Sequence, residues 1–537
     1  MRISVTYWVK FDLTIHLRCV TLGLISNAAT RIGGYNMIKA TEAFLHEIDI
    51  LTAKRKNEIL NAPDQMTITG VTYYVSNSGC DEQDGLSPET AWQTLSKVSS
   101  AELNKGDGVL FRRGDIFRGF VMTHSGVTYA AYGEGEKPKF YGWDRSLTDP
   151  ALWILVDEAH HIWKWNEPIL DCGTLVFNDG EAHCRKLIPS YRDGRFVCRE
   201  DETRPFDMAQ EMTRDLDIFC RYDARLSTTP TKGEDFPIPA LDGDSLGDLY
   251  LRCDRGNPAE VFQSIEALPR RHMFRVASNS NVTIDNLCLK YIGTHAISAG
   301  GGCVRGLHVS NCEIGWVGGA IQHYSGTDPN YPQGRRGSVT RFGNGVEIYG
   351  GCEDYIVRDC YIYQIYDAGV THQVTTRGKK FKMTNIRYWN NLIEHCVYSI
   401  EYFLEKTEGD TESYINDCEM SGNILRFSGY GWGQQRHNTY TPAHIKGWSY
   451  ENTARNYTVH DNIFDRAAYR MVHLVAKEAE SCPVMYNNTY IQKYGHTLGQ
   501  YGANGVEEPY NIAFDERVDE RIKNVFKDTD AKIYYLD

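Results

Sequence analysis

The chain has 537 residues, more than one compact domain usually contains, so two or three structural units are expected. Its 57 Lys and Arg residues stand against 70 Asp and Glu residues, which gives a net charge of −13. This acidic balance argues against a nucleic-acid partner and, more weakly, against a polyanionic glycan, although a local basic cleft would escape the sum. The sequence contains no run of about 18 apolar residues, so no membrane-spanning helix is predicted.

Aromatic residues make up 12% of the chain, and 34 of them are tyrosines. Aromatic rings stack on the apolar faces of sugars, so this content favours a carbohydrate-binding surface. Tyrosine also favours half-buried strands, and the composition alone leaves both explanations open.

The 15 cysteines are an odd number and show neither a compact disulfide framework nor a CxxC pair. We expect buried free thiols, for example Cys288, Cys312, Cys360 and Cys396, and no zinc site. Free thiols favour a reducing compartment, so the expected location is cytoplasmic. The apolar run at 19–25 is short for a signal peptide, but it does not exclude secretion.

Apolar residues at helical spacing predict a helix from about residue 38 to 60, with Phe44, Ile48, Leu51 and Ile59 among them. From Val71 onward the pattern changes to short strands of four to six residues, separated by Gly, Asn and Asp.

The second half of the chain contains a repeat of short blocks in which Asn or Asp precedes a small or apolar residue. The blocks are Asp285-Asn286-Leu287, Ser310-Asn311-Cys312, Arg358-Asp359-Cys360, Asn390-Asn391-Leu392, Gly422-Asn423-Ile424, Asp461-Asn462-Ile463 and Asn487-Asn488-Thr489. Each block follows a strand-like run, and the spacing fits a rung of about 24 residues with loops added at some turns.

A second strand follows several blocks after roughly ten residues. Its inward positions form an apolar ladder, predicted as Ile297, Ile321, Val346, Val370, Ile400 and Met471. Strands of such a coil stack about 4.8 Å apart, and the Asn blocks stack at turns that tolerate left-handed backbone. The prediction is an all-β fold, a right-handed parallel β-helix. A propeller fits worse, because it expects four strands in about 40 residues.

The segment at 73–81, Tyr73-Tyr74-Val75-Ser76-Asn77-Ser78-Gly79-Cys80-Asp81, continues with Asp84-Gly85-Leu86-Ser87-Pro88 and Ala91-Trp92-Gln93-Thr94-Leu95. It resembles the opening of many pectin-lyase-like β-helix enzymes. The resemblance implies that this segment forms the first strand and the helical cap of the coil. It is specific for fold and weak for reaction, since the superfamily includes lyases, epimerases, glycoside hydrolases and non-catalytic tailspikes.

Residues 148–267 interrupt the repeat with Trp-rich, hairpin-like strands and are predicted to form an inserted β-sandwich. This arrangement is similar to β-helix glycosidases such as the bacterial β-xylosidase family, in which an inserted sandwich borders the active site. The predicted domains are an N-terminal extension with a helix (1–70), a cap with the first rungs (71–147), the insertion (148–267), the main coil with the catalytic face (268–500) and a C-terminal cap or tail (501–537).

Three acids are the predicted catalytic residues: Glu347, Asp367 and Glu401. Each glutamate directly follows a predicted inward residue, so both are expected to point outward. One rung lies between theirs, which puts their backbones two strand spacings, about 9.6 Å, apart. Glycoside hydrolysis uses one protonated and one ionised carboxyl, about 5–5.5 Å apart for retention and about 6.5–9.5 Å apart for inversion. A turn-forming Asp367 and solvated or ion-paired glutamates are the alternative explanation. Which acid takes which role stays open.

Further residues on this face are predicted to bind substrate. They are Gln322, His323, Arg335, His372, Gln373, Tyr402 and Trp432. His372 has the parity of an inward residue if its strand is regular, so a buried structural histidine is an equal alternative.

The favoured function is a glycoside hydrolase, expected to be exo-acting on a neutral oligosaccharide, without a metal or other cofactor. No nucleic-acid or membrane partner is expected, and a homo-oligomer is left open. A polysaccharide lyase or uronate epimerase is the first alternative, and it needs a base and often calcium. Residues available for that chemistry are Arg335, Arg336, Lys379, Lys380 and Lys382 as bases, with Asp354 and Asp359 for calcium. The second alternative is a non-catalytic carbohydrate-binding β-helix.

Overall fold

Parallel strands wind into a coil that has three walls, named A, B and C below. The structure is a computed structural model. It describes residues 37–192, 195–222, 225–226, 239–240, 246–324, 339–436, 441–449, 451–476, 478–503 and 512–537. Within these ranges the chain passes from wall B to wall C to wall A and back to wall B. The predicted all-β fold and parallel β-helix are confirmed.

Wall A is a sheet of its own. Its strands are Ile116–Arg118, Lys139–Tyr141, Cys288–Ile292, Glu313–Val317, Tyr361–Ile365, Leu392–Glu394, Ile424–Ser428, Ile463–Ala467, Thr489–Lys493 and Lys532–Leu536, with Ile38–Lys39 beside the last of them. Every pairing in this wall is parallel.

Walls B and C are joined because two long strands, Ile297–Ser310 and Val346–Arg358, bend from one wall into the other. The other strands of wall B are Val121–Met122, Phe274–Ala277, Ala368–Thr375, Tyr398–Glu405, Ala443–Gly447, Val472–Ala476, Thr497–Ala503 and the antiparallel Ile512–Ala513. The other strands of wall C are Thr72–Val75, Gly108–Arg112, Thr128–Tyr132, Val282–Asp285, Lys382–Trp389, Tyr414–Ser421, Ala454–His460 and Val484–Tyr486.

The inward ladder of wall B differs from the predicted one at two positions. The ladder residues are Ile297, Val346, Val370, Ile400, Ile445 and Val472, all fully buried. Ile321 does not belong to it, because the strand Ala320–Tyr324 forms an antiparallel hairpin with Val339–Phe342. Met471 is buried too, but Val472 takes the ladder position. Burying each such side chain contributes about 1.5–3 kcal/mol.

The Asn blocks stack at the turn from wall C to wall A, as predicted. The Asn423 Oδ1 accepts from the backbone N–H of Asn391 at 2.9 Å and from its side-chain amide at 3.0 Å. The same pair of bonds links Asn423 to Asn462 and Asn462 to Asn488, and Asn488 ends the stack on Asp528 at 2.8 Å. The residue before each Asn has a positive φ, which Asn, Asp and Gly adopt most readily.

The N-terminal helix spans Glu42–Leu60 and begins where the Thr41 hydroxyl accepts from the Phe44 N–H at 3.1 Å. It lies against wall A, where Ile59 packs with Tyr361 and Leu392. The other α-helices are Leu95–Ser100, Met208–Glu211, Pro258–Val261 and Val518–Asn524, and the 3-10 helices are Pro88–Thr90, Pro150–Leu152, Asn178–Gly180, Trp432–Gln435 and Ala479–Ser481.

The helix Leu95–Ser100 packs over the first rungs, since Leu95 and Val98 belong to the same buried cluster as Val121. This is the capping position that the resemblance implied. None of the described helices is both long and apolar enough to cross a bilayer.

Residues between wall A strand Lys139–Tyr141 and wall B strand Phe274–Ala277 form two further sheets. The five-stranded sheet contains Trp153–Asp157, Ile162–Leu170, Leu246–Arg252, Asp217–Tyr222 and Arg185–Lys186; the three-stranded sheet contains Ala182–His183, Cys172–Phe177 and Ile265–Pro269. Two small hairpins pair Ser190–Arg192 with Arg195–Val197 and Arg225–Leu226 with Pro239–Ala240. Trp165 and Leu249 of the first sheet share one core with Phe177 of the second.

All cysteines within the described residues are free, and the four named from the sequence are buried. Burial raises the pKa of the Cys288, Cys360 and Cys396 thiols. They behave as small apolar core residues.

Candidate active site

The register of wall B aligns its outward side chains into a column, called the acid column below. The column contains Ser298, Glu347, Thr371, Glu401, Lys446 and His473, one from each rung. The structure therefore places both predicted glutamates on one wall, separated by the rung of Thr371. Strand spacing puts their backbones about 9.6 Å apart.

Glu347 is held by three donors. Its side chain contacts His295 Nε2, accepts from Asn344 Nδ2 at 3.3 Å and accepts from Gln373 Nε2 at 3.4 Å. Burial raises the pKa of Glu347, since only 6% of the residue is exposed, but these contacts outweigh it. The pKa of Glu347 therefore lies below its ordinary value, and the carboxylate is ionised at neutral pH.

His295 has a defined tautomer. Its Nδ1 accepts the backbone N–H of Asn344 at 2.9 Å, so the hydrogen-bond network assigns the proton to Nε2, which faces Glu347. The ring stacks on His272, with centroids 5.0 Å apart and planes 5° apart. Burial lowers the pKa of His272 to about 2, so this neighbour is neutral.

Glu401 lies in a different electrostatic environment, although it is equally buried. Burial is the main influence and raises its pKa; Lys446, whose Nζ lies 3.1 Å from Oε1, lowers it, and the carboxylate of Asp367 raises it again. The net pKa of Glu401 lies above its ordinary value. The two glutamates of the acid column are thus shifted in opposite directions.

Asp367 precedes wall B strand Ala368–Thr375 and contacts Arg436 Nη1. Arg436 also lies over the ring of Tyr398, 5.6 Å from its centroid, and the nearby Asp367 raises the pKa of this guanidinium. In the described part of the chain the Asp367 carboxylate meets this cation and not the backbone of its own turn. It therefore influences Glu401 by its charge.

A second outward column runs beside the acid column, two residues further along each strand. It contains Tyr349, Gln373, Phe403 and then Trp448. The rings of Phe403 and Trp448 lie 4.4 Å apart, and those of Tyr349 and Phe403 lie 6.4 Å apart.

Two predicted substrate-binding residues face the interior instead. His372 is fully buried, and its Nδ1 lies 2.8 Å from the hydroxyl of Tyr388. Its ring stacks on Tyr402, which is also buried, with centroids 5.4 Å apart. Strand alternation turns these side chains into the coil, so neither can contact a ligand on wall B.

The other predicted binding residues have mixed positions. Gln373 contacts Glu347, as described above. Trp432 is buried, packs on Tyr366 and donates from Nε1 to the Gln364 carbonyl at 2.7 Å, so it is no exposed platform. Gln322 is exposed in the hairpin strand that also contains His323. Arg335 lies outside the described residues.

The residues proposed for lyase chemistry are not gathered at the acid column. Lys380 pairs with Asp410 at 3.0 Å at the turn from wall B to wall C. Asp354 contacts His308 at 2.9 Å, and Asp359 contacts Arg358 at 2.8 Å. Arg336 lies outside the described part of the chain. Each of these two aspartates thus has a partner other than a calcium ion.

One group of side chains among the described residues brings three metal-ligating atoms within 4.8 Å of one another: Cys198, Glu200 and Glu211, in the insertion. Arg204 contacts Cys198 at 3.0 Å and also contacts Glu211. A guanidinium therefore already supplies positive charge to this group.

His295, Asn344 and Lys446 were not predicted as site residues. His295 was visible in the sequence as the start of a strand, one rung before Glu347. Lys446 belongs to a strand, Ala443–Gly447, that the repeat did not reveal. The only signal for either residue is its register against the glutamates.

No protein family and no curated protein matches the chain. Among solved structures, it is similar to XylC in complex with xylose at 12% identity, covering 86% of this chain and 82% of that one, with a TM-score of 0.39. It is similar to GH136 lacto-N-biosidase from Eubacterium ramulus at 11% identity, covering 92% of this chain and 71% of that one, with a TM-score of 0.35. It is also similar to a polygalacturonase from Erwinia carotovora ssp. carotovora at 10% identity, covering 83% of this chain and 99% of that one, with a TM-score of 0.33.

At these identities and TM-scores the similarities carry no argument about the reaction. The strand pairings themselves define the class: the chain has a parallel β-helix fold, which is the fold that the resemblance at 73–95 implied.

Proposed function

We propose that wall B carries the active site of a glycoside hydrolase, with Glu401 as the general acid and Glu347 as the ionised partner. The observation that carries the proposal is the placement of two buried carboxylates on one column in different surroundings: Glu347 has three donors, and Glu401 has Lys446 beside it. These contacts lower the pKa of Glu347, whereas burial raises that of Glu401. Glycoside hydrolysis needs this combination of one protonated and one ionised carboxyl.

In the proposed reaction, Glu401 donates its proton to the leaving glycosidic oxygen. The resulting carboxylate is stabilised by Lys446 at 3.1 Å, which is already in place. Glu347 activates a water molecule on the opposite face of the sugar, because a separation of two rungs leaves room for that water. Inversion of configuration is therefore the proposed stereochemical outcome.

Asp367 is proposed to tune the acid. Its negative charge raises the pKa of Glu401, and its carboxylate contacts Arg436 beside the site. It replaces neither glutamate in the reaction.

A neutral oligosaccharide cleaved from its end is the proposed substrate. The net charge of −13 disfavours polyanions. Parts of the insertion contact the hairpin at the edge where the strands of wall B begin: Arg341 Nη2 donates to the Gly173 carbonyl at 2.9 Å, and the Ile321 N–H donates to Asp171 at 2.5 Å. This closed edge favours exo-action. A cytoplasmic location, the absence of a cofactor and the oligomeric state stay predictions.

Substitution of each glutamate by glutamine tests the proposal. We expect Glu347→Gln and Glu401→Gln to lower kcat/KM on neutral 4-nitrophenyl glycosides and disaccharides about 10²–10⁴-fold, with thermal stability retained. Glu405→Gln is the matched control, since Glu405 is exposed at the end of the Glu401 strand. Among the described contacts its carboxylate accepts only from the Thr375 hydroxyl, at 2.7 Å.

A parallel assay on polygalacturonate distinguishes the alternatives. New ultraviolet absorbance from an unsaturated product would show a lyase and refute the hydrolase. Binding without any cleavage would support the non-catalytic alternative.

A further inference from the structure

Three aromatic rings lie on wall B next to the acid column. We call Tyr349, Phe403 and Trp448 the aromatic column. They have the same outward parity as Glu347 and Glu401, because each follows an outward position of the acid column by two residues. Tyr349 is 37% exposed, so a large ring faces solvent in the middle of the wall.

The rings contact one another across the rungs of both glutamates: Phe403 is buried between Tyr349, which is exposed, and Trp448, which is half-buried. Tyr349 shares a strand with Glu347, Phe403 shares one with Glu401, and Gln373 lies between the two. The Tyr349 and Phe403 centroids are 6.4 Å apart at 73°, and those of Phe403 and Trp448 are 4.4 Å apart at 47°. An offset of two residues places this surface about 6.6 Å along the strands from the acid column.

That offset is about the length of one sugar unit. A pyranose ring stacked on the aromatic column would therefore present its glycosidic oxygen to the acid column. Gln373 fits this placement, because its amide already contacts Glu347 from within the aromatic column at 3.4 Å.

The opposite edge of wall B, before the acid column, differs from the aromatic side. The positions two residues before the acid column carry small side chains, Gly345, Gly369 and Ser399. Beyond them, Asp367 is engaged by Arg436, and Arg341 joins the hairpin to the insertion. The aromatic side therefore offers ring surface for stacking, and these three positions at the opposite edge do not.

We propose that the aromatic column binds, by stacking on its apolar face, the sugar ring next to the bond that Glu347 and Glu401 cleave. The ligand is a neutral disaccharide or longer oligosaccharide. This inference rests on the proposed function and adds the position and the chemistry of one binding subsite.

The test removes the exposed ring of Tyr349 or the half-buried ring of Trp448 in the inactive Glu401→Gln background and measures binding. Xylobiose, cellobiose and lactose are titrated by calorimetry, and their cleavage by the unsubstituted protein is measured in parallel. We expect Tyr349→Ala and Trp448→Ala each to raise the Kd of a sugar that binds by several-fold to about tenfold. Tyr349→Phe should bind like the parent, because it keeps the ring.

Tyr494→Ala is the matched control, because Tyr494 is 43% exposed and lies outside wall B, next to the Lys532–Leu536 strand of wall A. It should leave Kd unchanged. Circular dichroism and melting temperature report whether each variant folds; should Trp448→Ala fail to fold, the exposed Tyr349 alone decides.

Kd values within twofold of the parent for the Tyr349 and Trp448 variants, with cleavage still dependent on both glutamates, would refute the aromatic column and leave the hydrolase standing. If the unsubstituted protein neither cleaves nor binds any of the three sugars and the neutral glycoside panel is also inert, both proposals are overturned.

Discussion

His295 donates its Nε2 proton to Glu347 while its Nδ1 accepts the backbone N–H of Asn344. The second bond fixes the tautomer that the first one needs, so the imidazole acts as a permanent donor to the carboxylate. This arrangement favours the ionised form of Glu347, whose pKa is lowered chiefly by His295.

Removal of the imidazole should therefore raise the pKa of Glu347. A hydrogen bond to a charged group contributes about 1.5–3 kcal/mol, which corresponds to about one to two pH units. We expect His295→Ala to move the acidic limb of kcat/KM to higher pH by about that amount, measured on the glycoside that the unsubstituted protein cleaves fastest.

His308→Ala is the control for this change. His308 contacts Asp354 at 2.9 Å in a similar pair, but that pair is exposed on wall C. Its removal should leave the pH profile unchanged. An acidic limb that stays in place in His295→Ala would show that the imidazole does not tune Glu347.

The basic limb should respond to Lys446. The ammonium lowers the pKa of Glu401, against burial, so its removal raises that pKa further. A general acid acts while protonated, and a higher pKa keeps it protonated to higher pH. Lys446→Met should therefore shift the basic limb of kcat/KM upward, and it should lower kcat because the carboxylate left after proton transfer loses its counter-ion.

Lys382→Met, at an exposed lysine of wall C, is expected to change neither limb. A basic limb that moves to lower pH in Lys446→Met would contradict the assignment of Glu401 as the acid.

Most of the coil could be predicted because its signals are local. Asn blocks recur at the same turn, and strand alternation decides which side of Val346 or Ile400 faces inward. The same period misplaced Ile321, since an antiparallel hairpin and a coil rung alternate in the same way. The antiparallel pairing of the Ile321 strand with Val339–Phe342 shows that it belongs to a hairpin and not to a rung of the coil. The sequence of one strand alone does not reveal which strand it pairs with.

The site was predicted less completely, because its contacts join distant parts of the chain. Glu347 follows from parity, but its partner His295 precedes it by 52 residues, across the hairpin that interrupts the coil. Trp432 shows the converse: it was predicted to bind substrate, whereas its indole is buried against Tyr366. The alternation of residues along a strand predicts which way a side chain points. Whether a loop side chain is buried against another part of the chain can be known only from the tertiary structure.

The Asn stack should contribute strongly to stability. Asn423→Ala removes the acceptor of two buried donors of Asn391 and the donor to the Tyr388 carbonyl at 2.9 Å. We expect the free energy of unfolding to fall by about 2–4 kcal/mol, measured by urea denaturation. Activity per folded molecule should stay unchanged.

Asn416→Ala provides the comparison, because Asn416 is half-buried on wall C and its side chain accepts only from the Asn456 amide among the described bonds. Its effect should lie within about 0.5 kcal/mol. Equal losses in both variants would mean that the stack adds nothing specific.

Two neighbouring residues, His372 and Gln373, separate the interior from the active wall. Burial lowers the pKa of His372 to about 3, so the imidazole is neutral at every pH at which activity is measured. His372→Phe leaves the Tyr388 hydroxyl unpaired and should cost about 1–3 kcal/mol of stability, with kcat/KM and its pH profile unchanged per folded molecule. Gln373→Ala should change activity and not stability, because the Gln373 amide is a donor to Glu347. We expect a nearly constant melting temperature and an acidic limb of kcat/KM that moves to higher pH. A change in the pH profile of His372→Phe, or a normal profile in Gln373→Ala, would show that the catalytic wall is not the outward face of this strand.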